Sequence, residues 1–161
     1  MSPMPKSQIL QALYTGDDEK AQALLRNHPQ LDVFEAAAVG DTDRVRELLR
    51  DEPDAANAWA EDGFQPLGLA VFFGNPETAR VLVDAGAEIN SASRNDFAVM
   101  PLHSACAVGD SDKRYELVKL LLERGADPNA RQKDEFTPLM AADQHGDTRL
   151  RELLVQHGAR G

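Results

Sequence analysis

The chain has 161 residues, a length typical of one folded domain, and its 42% hydrophobic and 27% charged residues exclude a disordered chain or a fibre. Its formal net charge of −10 disfavours contact with nucleic-acid phosphates and anionic membranes. No apolar run approaches the roughly 20 residues of a membrane helix, and residues 1–8 lack the pattern of a leader. The single cysteine, Cys106, cannot form an intramolecular disulfide. We therefore expect one cytoplasmic domain, over 1–161, that binds neither nucleic acid nor membranes.

Two apolar stretches that each end in glycine begin the chain, at 9–16 and 33–40. A second apolar stretch follows each of them, which predicts a pair of helices. The glycines Gly16 and Gly40 are only 24 residues apart, too close for a hairpin between the pairs. We interpret them as two shortened units, at about 7–31 and 32–58, of the atypical kind that caps a stack of repeats.

Three longer copies follow, and each opens with a Pro-Leu pair and closes with Gly-Ala after a second apolar run. Their leucines, Leu67, Leu102 and Leu139, are 35 and 37 residues apart, close to the period of about 33 found in one class of helical repeat. A helix pair cannot bury both faces alone, so neighbouring pairs must stack. The predicted full units lie at about 59–92, 93–130 and 131–161.

The middle copy is longer than the other two. Gly109 and Gly125 are 16 residues apart, whereas the matching glycines of the first and third copies are 12 apart. The four additional residues lie near Asp110 to Arg114. We expect them to form a bulge or to extend a helix.

Capping residues mark the ends of the predicted helices. Thr137 offers a hydroxyl to free N–H groups before Pro138, and Asn75 precedes Pro76 in the same way. Glycine in the left-handed conformation is expected to end the helices. The predicted positions are Gly74, Gly109 and Gly146 for first helices and Gly86 and Gly125 for second helices.

The sequence offers no pattern typical of a catalytic, metal or cofactor site. The four histidines lack metal-binding spacing, and His28 and His157 are predicted at helix C-terminal ends. Cys106 lies between alanines on a helix that should be buried, which favours an inert core thiol. The glycines recur singly, so they form no phosphate-binding loop. We predict no enzyme activity, no catalytic residue, no metal and no cofactor.

Several motifs resemble ankyrin repeats: 101–105 (PLHSA), 137–139 (TPL), 86–90 (GAEIN) and 125–130 (GADPNA). The resemblance covers roughly residues 7 to 161. It implies an all-α solenoid of helix-turn-helix units with short hairpin loops, in about five repeats, two shortened and three full. His103 then resembles a structural histidine that ties neighbouring loops. The sequence departs from the family at Gly68 and Met140, where histidine is usual, and at Asp96 and Glu135, near a usual hairpin glycine.

The resemblance also implies that the concave face and hairpin tips grip another protein, and the acidic charge favours a partner with a basic surface. Candidate contacts are the residues just before each first-helix glycine and those of the hairpins. They are Tyr14, Val39, Trp59, Glu61, Asp62, Phe64, Phe72, Phe73, Arg94, Asn95, Phe97, Val108, Lys133 and His145.

Two questions remain open from the sequence. Four of the nine aromatic residues, Trp59, Phe64, Phe72 and Phe73, fall in one unit, where they could anchor a partner or pack on one another. The same patch could also serve a self-associating scaffold subunit, so we expect a monomer or a weak homo-oligomer. A small-molecule-binding or enzymatic domain is the remaining alternative, and it would need a deep pocket with convergent polar groups.

Overall fold

The computed structural model describes residues 7–27 and 30–160. Within these residues the chain forms ten α-helices and two short 3₁₀ turns, Pro53–Asn57 and Lys133–Glu135, with no strand. The prediction of an all-α solenoid is confirmed. His28, predicted at a helix end, lies outside the described residues.

The helices alternate between an inner row and an outer row. Inner helices pack on inner helices of neighbouring units, and the last four outer helices pack on one another in the same way. The inner helices are α1 (Gln8–Thr15), α3 (Val33–Val39), α5 (Pro66–Phe72), α7 (Pro101–Cys106) and α9 (Pro138–His145). The outer helices are α2 (Asp18–Asn27), α4 (Thr42–Asp51), α6 (Pro76–Asp84), α8 (Ser111–Glu123) and α10 (Thr148–Gln156).

One continuous apolar core runs from Ile9 to Ala159. The recurring leucines of the Pro-Leu pairs are buried within it, and the alanines of α3 and α5 are buried as well. Alanine keeps an inner helix thin, so the next helix approaches closely and both bury their apolar faces. The stack is therefore held by contacts between units as well as within them.

A repeated asparagine joins each full unit to the unit before it. The side-chain amide of Asn57 donates to the Gly86 carbonyl oxygen (3.0 Å), and its Oδ1 accepts from the Glu88 N–H (2.8 Å). Asn90 and Asn129 form the same pair of hydrogen bonds with the following unit. These side chains satisfy backbone groups that the helix ends leave free.

The helix ends follow the predicted pattern with two exceptions. Gly86 and Gly125 have φ of 97° and 100°, and the Thr137 hydroxyl accepts from the Met140 N–H, as expected. The prediction for Gly109 is wrong, because α7 already ends at Cys106 and Gly109 has no positive φ.

The second exception is Asn75, which stands at the N-terminus of α6 without capping it through its side chain. Its amide nitrogen donates instead to the carbonyl oxygens of Ala37 and Ala38 in the preceding unit, at 3.1 and 2.9 Å. The predicted cap is therefore a further bond between units.

The four additional residues of the middle copy extend α8 to 13 residues, against nine in α6 and α10. Four residues add about 6 Å, or one helical turn. Arg114 lies on this turn, and its guanidinium is 2.9 Å from Oδ2 of Asp147, with the two side chains only 6% and 10% exposed. Burial alone would raise the pKa of Asp147, but the Leu150 N–H and the Arg114 guanidinium outweigh it and lower that pKa.

We predict that Asp147→Ala destabilises the protein by about 3 kcal/mol, because it leaves a buried guanidinium without its counter-ion and removes the cap of α10. Urea unfolding would measure the loss. The control is Asp143→Ala, whose ion pair with Arg151 is exposed and should contribute under about 1 kcal/mol. Equal unfolding midpoints for the two variants would contradict the prediction.

Candidate functional site

Three hairpins project from the inner edge of the stack: the first hairpin (58–65), the second (90–100) and the third (127–137). A backbone hydrogen bond closes each one. These bonds join Ala60 N to Phe64 O (2.8 Å), Ser93 N to Val99 O (2.9 Å) and Gln132 N to Phe136 O (2.9 Å). The chain thus folds back to start the next inner helix at its proline.

Neighbouring hairpin tips are bonded to one another. The Arg94 N–H donates to the Gly63 carbonyl oxygen (2.7 Å), and the Asn95 side-chain amide donates to the Asp62 carbonyl oxygen (3.0 Å). The Lys133 ammonium donates to the Asp96 carbonyl oxygen (2.6 Å). Asn95 and Lys133, predicted as partner contacts, therefore also connect the hairpins.

Gly63 has a positive φ of 88°, and a Cβ atom there would lie 2.4 Å from the Arg94 carbonyl oxygen. We predict that Gly63→Ala lowers the free energy of unfolding by roughly 2 kcal/mol or more. Alanine is strained at this positive φ, and the Arg94 carbonyl group must also move to make room for its Cβ atom. The control is Ala98→Gly at the matching position three residues before proline, where alanine already has φ 46°. That change should stabilise the protein by at most about 1 kcal/mol, and thermal melting that ranks the two variants the other way would refute the prediction.

Five aromatic rings meet between the inner helices and the first two hairpins. We call them the aromatic cluster: Tyr14, Phe64, Phe72, Phe73 and Phe97. The Phe72 ring centroid lies 5.1 Å from Phe73, 5.9 Å from Tyr14 and 5.7 Å from Phe64, and Phe97 stacks on Phe64 at 6.5 Å. Phe72 remains 41% exposed and Phe97 55% exposed, whereas Phe64 is buried.

Tyr14 connects the first unit to the third. Its hydroxyl donates to Oδ2 of Asp62 (2.7 Å), while Oδ1 of Asp62 accepts from the Phe64 N–H (3.3 Å). Burial, with the neighbouring Asp62 carboxylate, raises the pKa of Tyr14. Only residues 28–32 separate α2 from α3, too few for a hairpin like the later ones, and Tyr14 reaches past the small residues of α3 to the first hairpin.

The aromatic residues differ in exposure, so some pack on one another and others are free to meet a partner. Phe64 and Asp62 are only 2% and 5% exposed, so the expectation that these two side chains lie on an exposed surface is corrected. Phe73 is half-buried against the core, and Phe72 combines packing with exposure. Phe97 is the most exposed ring of the aromatic cluster.

The remaining predicted contacts surround the aromatic cluster or lie further along the face. Arg94 stacks over the half-buried Trp59 ring, 3.7 Å from its centroid, and Glu61 is exposed beside them. Val39 and Val108 are half-buried on the inner row. His145 is exposed, with Nε2 2.9 Å from the Cys106 carbonyl oxygen.

His103 has the structural role that the resemblance implied. Its Nε2 is 2.9 Å from the Ala130 carbonyl oxygen, and its Nδ1 accepts from the Met100 N–H (3.3 Å). Only the neutral tautomer with the proton on Nε2 satisfies both partners. Burial lowers the pKa of His103, against the opposing influence of the Ala130 carbonyl and the Asp127 carboxylate.

A lowered native pKa means that the unfolded chain takes up a proton first as the pH falls. The contribution of His103 to the free energy of unfolding should therefore be constant above the unfolded pKa of about 6.5. It should decrease as the pH falls from that value to the lower native pKa. We predict that His103→Gln flattens the pH dependence of urea unfolding between about pH 7.5 and 5.5. His157→Gln is the control at an exposed helix end, and an unchanged slope in His103→Gln would contradict the assignment.

Sites for chemistry are scarce in the part of the chain that the structure describes. Burial raises the pKa of the Cys106 thiol to about 12, so the thiol stays protonated. Residues 7–27 and 30–160 contain no group of three His, Cys, Asp or Glu side chains placed to hold a metal ion, and none of their helices has the length and apolar character to cross a membrane. A cavity between the first two hairpins, lined by Trp59, Phe64 and Gly68 among others, measures about 10 Å³.

Two family models for ankyrin repeats match the chain, one for three copies over residues 9–93 and one for many copies over residues 102–155. A solved ankyrin repeat domain from Acinetobacter baumannii AYE superposes with a TM-score of 0.72 at 27% identity, over 94% of this chain and 81% of that one. The chain belongs to the ankyrin-repeat family.

Curated relatives include "Ankyrin repeat, SAM and basic leucine zipper domain-containing protein 1". The protein of that name from Dasypus novemcinctus is 35% identical over 97 residues, and that from Ornithorhynchus anatinus is 36% identical over 96 residues. These matches cover 60% and 59% of this chain and 20% of each relative, so the similarity spans about a fifth of their length. Ankyrin repeats are generally protein–protein interaction modules.

Proposed function

We propose that this protein is a non-enzymatic interaction module that binds a protein partner through its concave face and hairpin tips. The observation that carries the proposal is the aromatic cluster, in which Phe72 and Phe97 stay exposed beside the buried Phe64 ring. Aromatic residues dominate binding hot spots, and an exposed apolar ring gains free energy when a partner covers it.

The arrangement of the aromatic cluster favours binding for a second reason. Phe72 contacts Tyr14, Phe64 and Phe73, so its ring is already held in one orientation. Phe97 stacks on Phe64, and its N–H is bonded to the Asn95 side chain (3.1 Å). Side chains that are ordered before binding lose less conformational entropy in a complex.

Self-association receives less support from the charges. Two copies would each bring a net charge of −10 to a shared interface. End-to-end stacking of copies is opposed as well. Asp143 and Arg151 in the last unit occupy the repeat positions of Val71 and Ala79, which are buried in the third unit. The last unit has an exposed ion pair at these positions, so its outer face is polar.

A small-molecule site also receives less support. The cavity beneath the hairpins is about 10 Å³, which is room for a single water molecule. The groove between α4 and α6 is open and lined mainly by charged side chains such as Asp43, Arg46 and Asp84.

The experiment is selection of peptides from a displayed random library on the immobilised protein. Selected peptides should lose at least tenfold in affinity for a Phe72→Ala, Phe97→Ala double variant, a loss of about 1.4 kcal/mol or more. Val155→Ala removes an equally exposed apolar side chain from the outer row and should leave binding unchanged. A larger loss of affinity for Val155→Ala than for the double variant would refute the proposed surface.

Thermal melting of the same variants separates binding from folding. Phe97 is the cleaner probe, because more than half of its surface is exposed. A Phe72→Ala, Phe73→Ala double variant should melt earlier than the parent, since both rings pack on other aromatic rings.

A further inference from the structure

The inner wall of the solenoid carries almost no charge. The five inner helices contain no lysine or arginine and only two carboxylates, Glu35 and Asp143. Glu35 is buried, and its carboxylate accepts from the Ser7 hydroxyl (2.7 Å) and the Asp32 N–H (3.0 Å). Asp143 lies in the last unit, where Arg151 pairs with it. The wall around the aromatic cluster is therefore apolar and electrically neutral.

The charges of the first two hairpins, beside this wall, have partners within the chain. Asp62 is 5% exposed, and its carboxylate accepts two hydrogen bonds. The second hairpin contains one cation and one carboxylate, Arg94 and Asp96, and is neutral. Arg94 lies over the Trp59 ring, and Glu61 and Asp96 each interact with another residue. A partner therefore meets no excess charge at this edge that it has to match.

The net charge of −10 is largely screened at the inner wall. Each outer helix contains at least three charged residues, against two in the whole inner row. Packed helices lie about 8–10 Å apart, and charges are screened beyond about 8 Å at physiological salt. For a short segment on the wall, the charge of the whole chain thus has little influence. The basic partner expected from that charge is not favoured at this surface.

The polar groups beside the aromatic cluster are also used within the protein. The Tyr14 hydroxyl donates to Asp62 (2.7 Å), and the Thr15 hydroxyl donates to a carbonyl oxygen of its own helix (3.0 Å). At the hairpin tips, the Arg94 N–H is bonded to the Gly63 carbonyl oxygen. A partner therefore gains most by covering the exposed rings with side chains, and less by forming hydrogen bonds.

We infer that the partner segment docking on this wall is uncharged and carries a large apolar side chain that covers Phe72 and Phe97. This inference rests on the proposed function and specifies its partner. A charged side chain laid on the wall would lose hydration without gaining a counter-charge. An apolar side chain avoids that loss and removes the exposed rings from water. Binding then depends on apolar contact and is insensitive to salt.

Three displayed peptide libraries test the inference on the immobilised full chain. Each peptide has roughly four random apolar residues at its centre and roughly four flanking residues. The flanks are restricted to Ser, Asn and Gln in the first library, to Lys and Arg in the second, and to Asp and Glu in the third. We expect the best uncharged peptides to bind at least tenfold more tightly than the best peptides of either charged library.

Salt provides a second measurement on the uncharged peptides. Between about 0.01 M and 0.15 M salt the Debye length falls from about 30 Å to about 8 Å. A contact between charges weakens strongly over this range. The affinity of the uncharged peptides should change by less than about twofold, and a larger decrease would contradict an apolar, uncharged contact.

Substitutions of opposite charge at one position locate the contact. Phe97→Lys and Phe97→Glu should each weaken the uncharged peptides at least tenfold, and by similar factors, because neither charge finds a partner on an uncharged segment. Val155→Lys and Val155→Glu on α10 are the matched controls, since Val155 is 52% exposed against 55% for Phe97, and they should leave binding unchanged. Thermal melting of every variant shows that each is folded.

The outcomes separate the inference from the proposed function. If charged peptides bind as tightly as uncharged ones and need Phe97, the uncharged character is refuted while the proposed function stands. If both Phe97 variants bind the uncharged peptides normally, the inference fails. It also fails if the mass in solution rises with concentration and Phe97→Lys abolishes the rise, because the occupant is then a second copy. If none of the three libraries yields a binder, the inference fails, and the unrestricted library alone decides the proposed function.

Discussion

The structure depends on the fact that a pair of short helices cannot bury its apolar faces without a neighbour. Every inner helix between the ends has an inner helix on each side, and small residues such as Ala37 and Ala70 allow the close approach that buries the leucines. Burial also isolates backbone groups at the helix ends, which need partners. Asn57, Asn90 and Asn129 supply them from the adjacent unit, so packing and hydrogen bonding both act between units.

The candidate site arises where this regularity is interrupted. Only residues 28–32 separate α2 from α3, too few for a hairpin like the later ones. The Tyr14 and Phe73 rings instead meet with their centroids 5.3 Å apart, and the Tyr14 hydroxyl reaches Asp62. A contact between the first and third units couples parts of a solenoid that would otherwise interact only through the second. The aromatic cluster is thus a stabilising contact and an exposed surface together.

Local sequence predicted the elements whose causes are local. Recurring Pro-Leu pairs, Thr137 and the glycines Gly86 and Gly125 specify helix ends through nearby backbone groups, and the sequence located these correctly. The local sequence around Asn75 did not predict its role. Its side chain had a local partner available but bonds to Ala37 and Ala38, 38 and 37 residues away.

The burial of Asp62 and Phe64 could not be predicted for the same reason, since it depends on Tyr14 and Asn95 from other units. Arg114 is a further example, because its place on the additional turn of α8 became meaningful only once Asp147 of the next unit lay against it. The sequence showed where the additional residues lie, but it could not show that Arg114 among them forms an ion pair with Asp147.

In the second hairpin, hydrogen bonds hold a strained backbone that carries the exposed Phe97 ring. Gly63, Ala98 and Glu135 occupy the same position before proline, and all three have positive φ, although only Gly63 adopts it without strain. Asn95 holds the tip around Ala98, since its side chain bonds to the Phe97 N–H and to the first hairpin. These hydrogen bonds hold the strained tip, so that Phe97, which follows Asp96 and precedes Ala98, keeps the orientation in which its ring stacks on Phe64 and faces solvent.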